Sequence, residues 1–226
     1  MIATQRERLS RAEDAILRSP LAAHGGAAVI RLLDDAAVAA LSNEALSHHA
    51  GAVVQEVCCP GDEFERRGDP DRWLESATGG PLLQDFYNSQ KVGNAIAGLT
   101  GVRWKTAGGA GTFSYYRRAG HHLGLHRDLE LCDLAVITCV YDDARAFGGR
   151  AEPAPREASS GVLCLYPSRT GETLETIRAD DRSAVHVRLA PGQSLVLLGG
   201  VIPHRLLPMK PGHTRIVAPL CYQAAG

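Results

Sequence analysis

The sequence predicts a mainly β fold, a sandwich or barrel fronted by helices, and three observations predict it. Helical spacing is concentrated in the first hundred residues; after Gly101 short β-favouring runs take over; and Gly, Pro and Asp clusters separate those runs instead of the helices of βαβ units. A chain of 226 residues with 45% hydrophobic composition can bury a real core as one domain. The expected organisation is a single domain over 1–226, with 1–100 as a helix-rich buttress and 101–226 as the β core.

The elements follow in order. Thr4 to Arg18 has the spacing of a short amphipathic helix, ended by Ser19-Pro20, and Ala27 to Leu33 reads as a buried strand. Asp34 or Asp35 can cap a helix over Ala36 to His49, because a short acidic side chain accepts from the free N–H groups of a first turn. Ala52 to Cys58 alternates as a strand, Pro60 to Pro70 is a charged, turn-rich loop, and Pro81 to Leu99 has helical spacing that stops at Thr100-Gly101, a glycine C-cap. Seven β runs follow: Thr112–Arg117, Leu123–Asp128, Leu134–Tyr141, Gly161–Tyr166, Ala184–Leu189, Ser194–Leu198 and Arg215–Cys221. Ala144 to Ser160 is a long loop, and Pro167 to Ser183 is a charged insertion longer than a β core requires.

Composition excludes several functions. A net charge of −1 gives no positive field for nucleic acid or anionic membranes, and no run of eighteen apolar residues offers a membrane span. With Met1 to Arg18 charged throughout, the expectation is a cytoplasmic protein. Its six cysteines show no CxxC pair, so they are expected to be small buried side chains, not zinc ligands or a disulfide framework.

The chemistry centres on His126-Arg127-Asp128. In a strand, positions i and i+2 share a face, so His126 and Asp128 project together while Arg127 points away. One imidazole and one carboxylate cover two positions of a metal. His204, after the apolar run Ser194 to Leu198 and the Gly199-Gly200 turn, is the best third ligand; two His and one carboxylate leave coordination positions open. Arg215 comes eleven residues after His204 and opens the last apolar run, where a strand-borne guanidinium suits bidentate contact with a carboxylate.

These residues resemble a family. Gly120-x-x-Leu123-x-x-His126-x-Asp128 is similar to the iron-binding strand of the iron(II)- and 2-oxoglutarate-dependent dioxygenases, particularly their prolyl-hydroxylase-like branch. Tyr141-Asp142-Asp143 with Phe147-Gly148-Gly149, and Leu189-Ala190-Pro191-Gly192 leading to His204-Arg205, Pro208, Gly212 and Arg215, resemble two further elements of that branch. The resemblance covers about the last 110 residues. It implies a double-stranded β-helix, a jelly roll of two facing sheets; Fe(II) held by His126, Asp128 and His204; 2-oxoglutarate as co-substrate with its 5-carboxylate on Arg215; and O2 as oxidant. It also implies a tyrosine contact to 2-oxoglutarate: Arg117 fills the family's position, and Tyr116, beside Tyr115, is the nearest tyrosine. Related iron halogenases have a small residue where this chain has Asp128, so the resemblance implies oxygen transfer or desaturation.

Other readings are weaker. His126-Arg127-Asp128-Leu129 spells a kinase catalytic loop, but Asp133 stands where Asn is needed and no glycine-rich loop or strand lysine accompanies it. The Gly108 to Gly111 cluster lacks a phosphate-loop pattern. A non-catalytic metal-binding β-sandwich, or an oxygenase acting on a protein side chain, are the alternatives. His121 and His122 are expected near the pocket mouth, and His186 and His213 at the surface. The expected substrate is a small polar metabolite, amino acid or natural-product intermediate, selected by Asp62–Trp73, Ala144–Ser160 and Pro167–Ser183.

Overall fold

The computed structural model describes residues 18–58, 69–143 and 160–225. The helix expected over Thr4–Arg18 lies outside the described residues except for its last position, as do most of the loops expected over Pro60–Pro70 and Ala144–Ser160.

Among the described residues, twelve strands form one antiparallel, curled sheet: β1 (Ala27–Arg31), β2 (Val53–Val57), β3 (Arg72–Thr78), β4 (Trp104–Thr106), β5 (Thr112–Tyr116), β6 (His122–His126), β7 (Leu134–Asp142), β8 (Leu163–Leu165), β9 (Val185–Val187), β10 (Gln193–Leu197), β11 (His204–Leu206) and β12 (Arg215–Ala224). Their order is β1-β10-β7-β12-β5-β3-β6-β11-β8-β9, with β2 on β3 and β4 on β12. β3 turns the corner: its C-terminal half pairs with β5 (Ser76 opposite Ser114), and its first residues pair with β6 (Arg72 opposite Leu123). The sheet thereby folds onto itself. Leu163 and Leu206 of the β6-β11-β8-β9 side pack in one apolar cluster with Cys139, Leu195 and Val217 of the other side. This is the facing-sheet jelly roll expected from the sequence.

A second apolar cluster lies under the helices. α1 (Pro20–Ala23) contributes Leu21. α2 (Asp35–His48) starts at Asp34, whose side chain accepts from the Ala37 N–H at 2.9 Å, and it buries Leu41 and Ala45. The helix expected over Pro81–Leu99 is two helices, α3 (Pro81–Tyr87) and α4 (Gln90–Thr100). Ser89 breaks it: its backbone is extended and its hydroxyl caps α4 by accepting from Val92. Gly101, with φ of 69°, ends α4 in the left-handed conformation that favours glycine, as expected.

The seven β runs expected after Gly101 all appear as strands. β3, β4 and β11 were not expected, nor was α5 (Leu174–Ala179) inside the 167–183 insertion. That helix packs Leu174 and Ile177 on Leu125, Cys164 and Tyr166.

One expectation about cysteine is corrected. Cys132 and Cys221 form a disulfide with Cα atoms 4.9 Å apart, whereas Cys139 and Cys164 are buried and free, and Cys58 is exposed. The pair is 89 residues apart in sequence, so no local spacing could reveal it; strand pairing of β12 with β7, with Cys221 opposite Ala135, brings the two together. Among the described residues, no helix is long and apolar enough to cross a membrane.

Candidate metal centre and its cavity

β6 ends in His126, and His204 opens β11 directly opposite it in register. Asp128 follows two residues after β6, with its backbone N–H donating to the Gly199 carbonyl at 2.8 Å. The two imidazoles face one another with ring centroids 4.2 Å apart. Asp128 Oδ1 lies 3.5 Å from His126 Nε2 and 3.6 Å from His204 Nε2. The structure thus brings all three expected ligands together, and their donor atoms lie within 4.8 Å of one another.

Backbone carbonyls set the tautomers. His126 Nδ1 is 2.9 Å from the Gly124 carbonyl, and His204 Nδ1 is 2.9 Å from the Ile202 carbonyl. A carbonyl only accepts, so each Nδ1 carries the proton and each Nε2 turns a lone pair toward the shared centre, as in a metal-binding histidine whose other nitrogen is fixed by a hydrogen bond. Burial, and next the neighbouring His126, push the pKa of His204 down to about 4. It is therefore neutral near pH 7 and able to ligate. Space around Asp128 is tight: a Cβ on Gly199 would fall 1.7 Å from Asp128 Oδ2. Arg127 points away, as strand alternation requires, and ties the 167–183 insertion to the ligand strand by donating to the Thr170 and Glu172 carbonyls, each at 2.8 Å.

The three residues open onto a cavity of about 330 Å³ between the two sides of the folded sheet. Its walls are largely apolar, from Leu74, Leu123, Ile137, Leu206 and Val217, with Tyr116, Arg72, Arg205, Gln55, Ser76, Ser114 and Thr112 as further polar members. None of residues 167–183 lines this cavity; the insertion packs Leu174 and Ile177 on Leu125 of the ligand strand.

Arg215 is fully buried and opposite Tyr116 across β12 and β5. Its Nη1 donates to Asp142 Oδ2 at 2.6 Å and to the Leu189 carbonyl at 3.2 Å, while Nε and Nη2 are buried without an acceptor. Those two donors form one edge of the guanidinium, the edge that binds a carboxylate bidentately. Arg215 itself does not line the cavity, although Tyr116 and Val217 do. Burial raises the pKa of the Tyr116 hydroxyl, and Arg215 partly offsets this, so Tyr116 stays protonated and can donate.

His213 was expected at the surface and is instead buried, a correction with a clear cause. Its Nε2 meets Asp142 Oδ1 at 2.8 Å and its Nδ1 meets Ser160 Oγ at 2.7 Å. His213, Asp142 and Asp143 cluster closely enough to suggest a second metal site. Their donors already face partners, since Asp142 also pairs with Arg215 and lies 3.6 Å from Arg188. The cluster is better read as the brace that fixes Arg215. His121, expected near the pocket mouth, is buried with its ring edge-on to Trp73 at 4.8 Å, and His122 pairs with Asp71 at 3.2 Å. His186 is exposed, as expected.

Sequence reasoning missed Ser76 because it did not recognise β3, and gave no role to Gln55 on the expected β2; Arg72 fell within the expected 62–73 selectivity segment but was not singled out. It missed the part played by Gly199, whose only local signal is the Gly199-Gly200 pair.

No protein-family model matches the sequence, and no curated protein matches it. Solved structures do match in fold. AviO1 from Streptomyces viridochromogenes Tue57 is 18% identical with a TM-score of 0.61, covering 100% of this chain and 99% of its own. A prolyl-4-hydroxylase from Pseudomonas putida is 15% identical with a TM-score of 0.55, covering 96% and 100%. SnoN, a non-heme alpha ketoglutarate dependent epimerase from nogalamycin biosynthesis, is 14% identical with a TM-score of 0.61, covering 95% and 82%. SnoN has also been solved in complex with Fe3+, alpha ketoglutarate and nogalamycin RO. At these identities the likeness establishes the fold, which is the one these 2-oxoglutarate oxygenases adopt.

Proposed function

We propose that this protein is an iron(II)- and 2-oxoglutarate-dependent oxygenase that oxidises a C–H bond of a small metabolite, amino acid or natural-product intermediate. The observation that carries the reading is the convergence of His126 Nε2, His204 Nε2 and Asp128 Oδ1, with both Nδ1 atoms committed to carbonyls. Two neutral imidazoles and one carboxylate on one face suit Fe(II) and leave positions free for co-substrate and O2. The bound iron, with 2-oxoglutarate and O2, supplies the oxidation. The chain's residues hold and orient. Arg215 offers Nε and Nη2 to the 5-carboxylate of 2-oxoglutarate, while Asp142 and Leu189 fix the other side of its guanidinium. Tyr116, across the strand pair from Arg215, is placed to donate to the same co-substrate. The apolar walls keep water away from the reacting centre. A cavity of about 330 Å³ is of small-molecule size.

The test is ferrous-iron-dependent conversion of 2-oxoglutarate to succinate, with anaerobic spectroscopy of the iron–2-oxoglutarate complex. His204→Ala and Asp128→Ala should lose turnover while keeping the circular dichroism of the fold; wild-type turnover in His204→Ala would refute the triad. Arg215→Leu should weaken 2-oxoglutarate binding by roughly 2–5 kcal/mol, the cost of truncating a buried charge pair. Unchanged affinity would exclude Arg215 as the clamp.

A further inference from the structure

β3 sends three side chains into the cavity wall from one strand face: Arg72, Leu74 and Ser76. Arg72 carries a full charge and its bonding is incomplete. Nη1 donates at 2.8 Å to Asp69, whose side chain is 70% exposed, whereas the Nε–H is buried and meets no acceptor. A buried donor of a charged group is expensive to leave unmade. Along the same wall Gln55 donates to the Ser76 hydroxyl at 3.0 Å.

The cavity's other positive groups are committed elsewhere. Arg205 also contributes to the lining, but its Nη2 donates to Asp181 at 2.5 Å and its guanidinium lies over the Tyr166 ring. Arg215 is outside the lining. Of the two arginines in the lining, Arg72 is the one whose carboxylate partner is the more exposed, 70% for Asp69 against 50% for Asp181, and it faces a largely apolar space. Such a site selects an amphiphile with one anionic group on an apolar body, because a second charge would be buried against Leu and Val without a partner.

We propose that the substrate is an apolar small molecule bearing one carboxylate, and that Arg72 binds that carboxylate through its Nε edge. This rests on the oxygenase reading for the chemistry, and it replaces the polar metabolite expected from loop charge alone. A planar carboxylate fits the parallel N–H groups of a guanidinium edge, which an ammonium could not reproduce. Register separates acid from reaction centre. Arg72 pairs with Leu123, and His126 lies three residues further along β6, roughly 10 Å at ~3.3 Å per residue. The oxidised carbon accordingly lies toward the end of the molecule remote from the acid.

The experiment uses the full chain without metal and measures binding of octanoate, 3-phenylpropionate and N-acetyl-leucine, each against its primary amide, by calorimetry. In the wild type at least one acid should bind roughly ten- to a hundredfold more tightly than its amide, the range expected of a charge-assisted hydrogen bond. Arg72→Gln should reduce that preference to about twofold, and Arg72→Lys should restore only part of it. Equal binding of acid and amide, no binding by any acid of the panel, or an undiminished preference in Arg72→Gln would each overturn the proposal. A second measurement separates the co-substrate. The anaerobic iron–2-oxoglutarate complex should form in Arg72→Gln with nearly wild-type affinity; its loss would make Arg72 a clamp for 2-oxoglutarate and overturn the assignment to substrate. Failure of that complex to form in the wild type would sink the oxygenase reading instead, and the acid-over-amide comparison on metal-free protein would still decide whether Arg72 binds carboxylates.

Discussion

Gly199 is the residue whose replacement isolates the geometry of the centre from the identity of its ligands. Its carbonyl accepts from the Asp128 N–H at 2.8 Å, and its missing side chain leaves the volume that Asp128 Oδ2 fills. Its backbone is not among those with positive φ, so an alanine there meets no conformational penalty, only the carboxylate. Gly199→Ala should therefore turn Asp128 away from the two imidazoles while the fold stays intact. Iron affinity should fall about 10- to 100-fold, as for other changes to groups that orient a ligand. Metal titration with circular dichroism checks this; an unchanged affinity would show that the Asp128 rotamer does not depend on the glycine.

At the scale of elements, the join between α2 and α3 offers a test of how the helical layer is fixed. Pro81 occupies the first turn of α3 and has no N–H, and Glu44 of α2 accepts from the next two, Leu82 at 2.8 Å and Leu83 at 2.9 Å. Glu44 thus caps one helix from another. Glu44→Ala should cost about 1–2 kcal/mol of unfolding free energy in urea, a typical cap loss, and a change near zero would assign the helix start to Pro81 alone. The same elements explain what was legible in the sequence. Strands that are apolar on both faces and end in turn residues, such as β7 and β10, were readable as continuous apolar runs. β3 was not, because its inward face carries Arg72 and Ser76 toward a cavity, and its outward face carries Glu75, buried against His49 at 2.7 Å and Arg118 at 3.0 Å. The split of α3 from α4 hid in Asn88-Ser89, since a cap inside a helical run leaves the apolar spacing undisturbed. The triad was legible because strand period fixes His126 and Asp128; the brace of Arg215 was not, because it joins Asp142, Ser160 and His213 across long sequence separations.

For the molecule as a whole, the Cys132–Cys221 disulfide couples global stability to the centre. Cys132 lies four residues after Asp128, in the connection from β6 to β7, and Cys221 lies on β12 and lines the cavity. The Asp133 N–H donates to the Tyr222 carbonyl at 3.1 Å, so the segment that carries Asp128 is tied to β12 twice. A cross-link spanning 89 residues limits the unfolded chain far more than the folded one. In the chain-entropy account its removal costs typically about 2–4 kcal/mol. Cys132→Ser should accordingly lower the urea midpoint with little change in slope, and dithiothreitol should destabilise the wild type by a similar amount while leaving the variant unmoved. Because the hydrogen bond from Asp133 remains after the sulfurs part, iron affinity should fall less than in Gly199→Ala. A variant that loses iron as completely as Gly199→Ala would mean that the cross-link, not the glycine contact, positions the carboxylate; a wild type indifferent to dithiothreitol would mean that the bond contributes nothing to the fold.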